Sequence, residues 1–130
     1  MNTKPLLSIL TTTLMTFAVA GVFTTAKAEQ KAVMSWDCFA KYEYPEPTVP
    51  IVRVHVYEGL ETGRIESNGI VNEAHYKQRG INHYWHFGRD LEFEFLIKPG
   101  NSGLLYDFTG ASTGEKRGPS LRTECRKTQY

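Results

Sequence analysis

From residue 32 onward, hydrophobic and polar positions alternate along most of the chain, and helical spacing is nearly absent. In PIVRVHVYEG, Val52, Val54 and Val56 fall to one side while Arg53, His55 and Tyr57 fall to the other. This is the period of two that a half-buried strand imposes. LEFEFLI repeats the pattern, with Leu91, Phe93, Phe95 and Ile97 opposing Glu92 and Glu94. In HYWHF the same rule puts His83, Trp85 and Phe87 on one face and Tyr84 and His86 on the other.

Turn residues separate these runs at intervals of roughly 8 to 12 residues, the rhythm of an antiparallel meander. Asn68-Gly69 tolerates positive φ at both positions and predicts a tight type I′ hairpin inside GRIESNGIVNEAHY. Gly88-Arg89-Asp90 and KPGNSG mark two further breaks. AVMSWDCFAKY and SLRTECRKT read as the first and last strands. Placed side by side they would leave no exposed edge, so the expected fold is all-β, a small antiparallel meander barrel of seven or eight strands. A two-sheet β-sandwich is the alternative. EYPEPTVP contains Pro45, Pro47 and Pro50, which lack donors for a ladder, and is expected to cross one end as an extended loop. TGASTGEKRGP is expected to be a second loop, flexible by its glycines.

The first quarter of the chain has a different composition. Met1 to Lys4 is a short basic start, residues 5 to 25 carry no charge, and Ala26-Lys27-Ala28 ends the run with small residues. That layout predicts a cleaved secretory signal peptide over 1–28 and a single β domain over 29–130, with a retained membrane anchor as the alternative for the apolar run. Without Lys4 and Lys27, the 15 basic residues become 13 against 14 acidic ones, a formal charge of −1. A basic surface able to hold phosphate is therefore not expected, and neither nucleic acid nor, after signal cleavage, a membrane is an expected partner. The cluster Lys116, Arg117, Arg122, Arg126 and Lys127 is interrupted by Glu124 and reads as solvated surface.

Only two cysteines are present, Cys38 and Cys125, near the two ends of the expected domain. In a periplasmic or secreted protein they are expected to pair and tie the ends together. Neither has the neighbouring cysteine of a redox or zinc motif.

Candidate chemistry is sparse. His83 and His86 point to opposite faces of one strand, so they cannot share an ion through that strand; a site drawing on His75 or His55 from a neighbouring strand stays open, but no metal or other cofactor is expected. Ser35, Ser67, Ser102, Ser112 and Ser120 lie outside any Gly-x-Ser-x-Gly context. Asp37 beside Cys38, with His55 on the next strand, suggests a base and its orienter, but a disulfide-bonded Cys38 offers no nucleophile. Aromatic residues are the more unusual feature, since both Trp and all seven Tyr lie after residue 28. Tyr42 and Tyr44 flank the proline loop, and with Trp85 and His86 they form the expected binding residues.

With SWDC near the start of the expected domain and RTEC near its end, a small exported barrel clasped by one disulfide resembles in architecture the bacterial periplasmic inhibitors of c-type lysozyme. The resemblance implies inhibition of an exported hydrolase and assigns no residue a role. The expected function is that of a non-enzymatic exported binding module acting through an aromatic, loop-rich rim. Its partner would be an envelope or extracellular protein or a saccharide. The alternative is a small periplasmic metal-dependent or hydrolytic enzyme using His75, His83 or His86 with Glu or Asp partners.

Overall fold

The structure is a computed structural model that describes residues 30–42 and 44–129. The expected signal segment, 1–28, lies outside the described residues. Eight strands follow in order: β1 (Ala32–Ala40), β2 (Val52–Tyr57), β3 (Thr62–Ser67), β4 (Ile70–Arg79), β5 (Asn82–Phe87), β6 (Phe93–Lys98), β7 (Ser102–Asp107) and β8 (Leu121–Gln129). Each strand pairs antiparallel with the next, and β8 pairs with β1, closing the barrel. The meander barrel expected from the alternation is the observed fold, with eight strands, and closure leaves no unpaired edge. Among the described residues no helix is long and apolar enough to cross a membrane.

Local chemistry explains the tight turns. Ser67 pairs with Ile70 across Asn68 (φ 53°) and Gly69 (φ 77°), the two positive values of a type I′ turn. Arg79 pairs with Asn82 across Gly80-Ile81, where Gly80 takes φ 61° at the first central position. One boundary differs from the alternation. Leu91 precedes β6 instead of belonging to it; it is 47 % exposed with φ 55°, in a turn closed by its amide bonding the Gly88 carbonyl at 3.2 Å. Glu92 lies in the same turn and accepts the Asp90 amide, so only Glu94 of the two glutamates sits on the strand.

An eight-stranded barrel is just wide enough for side chains to fill it. Here the filling comes from the inward positions. Val52, Val54 and Val56 line one wall, Trp85 and Phe95 the opposite one, and Trp36 meets Trp85 edge-on at 5.4 Å. Cys38 and Cys125 are direct partners on β1 and β8 and form the expected disulfide, both buried.

Two glycines inside strands serve packing. A Cβ at Gly103 would meet Cys125 Sγ, Thr123 Oγ1 and the Phe95 ring. A Cβ at Gly63 would collide with the His55 carbonyl oxygen, which accepts a hydrogen bond from Trp85 Nε1 at 3.0 Å. Glycine at each position leaves room for a bulky neighbour that carries the core.

Candidate functional site

Strand parity sorts the loops. Segments 41–51, 68–69, 88–92 and 108–120 gather at one end of the barrel, while 58–61, 80–81 and 99–101 turn at the other. The two longest connections therefore share one rim. On that rim Tyr42 is 85 % exposed and Tyr44 97 %, with Val49, Ile70 and Val71 also exposed nearby in sequence or on the adjoining hairpin. Tyr42 is held at φ 69°, a conformation uncommon for a bulky residue. The 41–51 loop is tethered at its middle. Arg126 of β8 lies over the Phe39 ring at 4.8 Å and reaches Glu46 at 3.2 Å. Val49, Pro50 and Ile51 then form one side of a groove of about 290 Å³ whose other side is Asn68, Gly69 and Val71.

The 108–120 loop is more ordered than its glycines suggest. Arg117 donates to the carbonyls of Asp107 and Thr109 at 3.1 and 3.0 Å and pairs with Glu115 at 2.6 Å. The Asp107 carboxylate accepts the Thr109 amide at 2.9 Å, and hydrogen bonding from the Thr109 side chain first, then from this amide, holds its pKa below the usual range. Arg117 thus belongs to a folded loop, while Arg122 and Arg126 stand on the exposed wall of β8 and Lys127 lies over the Trp36 ring at 5.4 Å.

The four aromatic and histidine positions expected to bind are not brought together. Trp85 is 0 % exposed, in the middle of the core, and presents no surface to a partner. His86 points outward from β5, four strands away from β1, and bonds Glu94 at 2.9 Å. Tyr42 and Tyr44 alone stand on the proline loop of the rim, while His86 lies near the 88–92 turn with Leu91.

Sequence reasoning missed one polar chain. Ser35 Oγ lies 2.8 Å from His55 Nδ1, and His55 Nε2 lies 3.2 Å from Glu66 Oε2. Ionised Glu66 only accepts, so Nε2 carries the hydrogen and Nδ1 accepts the Ser35 hydroxyl. Serine, histidine and carboxylate in that order have the connectivity of an activated nucleophile. Ser35 is 5 % exposed, however, and an acyl carbon has no approach to its oxygen. The chain instead links β1, β2 and β3 on the outer wall. Arg64 Nε stands 3.1 Å from the same Glu66 oxygen without the alignment of a hydrogen bond, so it acts as a charge. Asp37, the orienter suggested by the sequence, pairs with Arg53 at 3.2 Å. The missed signal was cross-strand: Ser35 and His55 are direct partners, a fact that depends on register.

Burial lowers the pKa of His55, and the Arg64 charge lowers it further. Burial also lowers that of His83, helped by Lys127; His83 Nδ1 lies 2.7 Å from the Tyr76 hydroxyl, with Trp36 packed against the ring at 4.8 Å. Both folded values lie below the unfolded value of ~6.5, so between them the unfolded chain binds more protons. The stabilising contribution is complete above pH ~6.5 and is lost as pH falls toward the folded values. Melting temperature should therefore drop between pH 7.5 and 5.5, and the double variant His55→Gln, His83→Gln should flatten that dependence. An unchanged slope in the variant would refute the assignment.

The fold and its surface define a class: a small closed all-β barrel, clasped by one disulfide, with a filled interior and its long loops on one rim. No family model, curated protein or solved structure matches the chain. Among the described residues no group of three or more His, Cys, Asp or Glu side chains converges to hold a metal ion.

Proposed function

We propose that the protein is an exported binding module whose loop-bearing rim docks on an envelope or extracellular partner, with an exported hydrolase such as a lysozyme as the first candidate. The observation that carries this reading is the exposure of Tyr42 and Tyr44 on a loop anchored by Arg126. Large apolar rings held in water at 85 % and 97 % exposure contribute little to folding and supply the residue type enriched at interface hot spots. Three prolines restrict the loop before it meets a partner, so docking costs less chain entropy. The disulfide fits an oxidising compartment, and a core packed with side chains agrees with action through the surface.

Pull-down from envelope extracts, followed by titration of the captured partner and an inhibition assay against c-type lysozyme, tests the proposal. Changing Tyr42 and Tyr44 together to Ala should weaken binding by more than ~2 kcal/mol, about thirtyfold, with an unaltered melting temperature. His83→Gln should leave affinity unchanged, since that ring lies between Trp36 and Tyr76 inside the barrel. Undiminished binding by the tyrosine variant would exclude the rim as the contact surface.

A further inference from the structure

On the outer wall, register lines up donor-bearing side chains across five strands. Thr62, His75, His86, Glu94 and Tyr106 are successive direct partners from β3 to β7. At the centre of this row two imidazoles stand opposite each other on adjacent antiparallel strands, where Cβ atoms are ~5 Å apart. Metal–imidazole bonds are ~2.0–2.1 Å long, so one ion can bridge two rings at that spacing. A rigid, closed ladder supplies the spacing in advance.

His86 already has the support that metal-binding histidines have. Its Nε2 is 2.9 Å from Glu94 Oε1, and a carboxylate that only accepts keeps the hydrogen on Nε2 and the lone pair on Nδ1. The Tyr84 ring stacks parallel to it, with centroids 6.2 Å apart. His75 is exposed and flanks His86 on the side away from Glu94. The two histidines, with Tyr76, Lys77 and Leu91, line a surface depression of about 330 Å³.

We propose that His75 and His86 chelate one first-row divalent transition ion, copper(II) or zinc(II), with Glu94 orienting His86 and not ligating the ion. Two nitrogens suffice for such a chelate, and water completes the coordination, so no convergence of three protein ligands is needed. Imidazole donors select copper and zinc over magnesium and calcium, which require oxygen. The Lys77 ammonium shares the depression and opposes the ion's charge, so it weakens binding. This site borders the rim through Leu91 but does not rest on the tyrosine loop.

The test is calorimetric titration of protein purified without a histidine tag, using copper(II) or zinc(II) salts in a non-coordinating buffer. One ion per chain should bind. His75→Gln and His86→Gln should each weaken binding at least tenfold with circular dichroism unchanged, while His55→Gln and His83→Gln leave it intact. Magnesium should give no saturable heat. Absence of saturable copper or zinc binding, or binding that survives the His75→Gln, His86→Gln double variant, would overturn the proposal.

Discussion

Replacing Cys38 and Cys125 with serine should lower the unfolding free energy by ~4 to 5 kcal/mol. The bridge joins residues separated by 87 positions and so closes a loop of nearly the whole barrel. In the chain-entropy treatment the stabilisation grows with the logarithm of loop length, because the constraint removes conformations from the unfolded chain. A domain has only ~5 to 15 kcal/mol of net stability, so the loss is a large share of it. The β1–β8 ladder does not depend on the sulfurs, and the variant should still show a β-rich circular dichroism spectrum at low temperature. Urea unfolding with linear extrapolation measures the difference. A change below ~1 kcal/mol, or free thiols in the parent protein on alkylation, would show that the clasp is not formed or contributes nothing.

Gly63→Ala should cost ~3 kcal/mol or more, although it adds a single methyl group. Its Cβ would collide with the His55 carbonyl oxygen and lie 3.0 Å from Trp85 Nε1. Backbone in a closed ladder cannot swing aside, so the strain of overpacking, ~1 to 3 kcal/mol, falls on the strands. Displacing the indole would also strand a buried donor, at ~1 to 3 kcal/mol more. Gly118→Ala is the control, because nothing lies within 4 Å of its Cβ position and its φ is not positive. It should change stability by less than ~0.5 kcal/mol. If the two variants unfold at the same urea concentration, the packing role given to Gly63 is wrong.

The strands were legible because a period of two is local information, carried most clearly by the runs around Val54 and Phe95. The hairpin at Asn68-Gly69 was legible for the same reason, since positive φ at two successive residues is a property of those residues. Leu91 misled because its hydrophobicity continues the alternation, whereas its backbone is bent by the turn from Gly88. The loop at 108–120 misled in the opposite sense: glycine content suggested freedom, and Arg117 ties it to Asp107 and Thr109. Tyr42 and Tyr44 could be singled out from their place beside the prolines. Trp85 could not be told apart from them, because both faces of HYWHF carry rings and the alternation there does not mark the inward one.

By itself the sequence determined an all-β chain, its turns, the sharing of faces within each strand and the pairing of its two ends through Cys38 and Cys125. Those follow from interactions within about ten residues, or from there being only two cysteines to join. In HYWHF, where both faces carry rings, only the tertiary structure decided which face is the interior, and it puts Trp85 and His83 inside and His86 outside. It alone decided the register that places Ser35 on His55 and His75 beside His86, and the need for glycine at positions 63 and 103. Those depend on which residues from distant strands stand opposite one another. A shift of one residue in any ladder would exchange every face; alternation within a strand marks its buried face, but not which residues of distant strands stand opposite it.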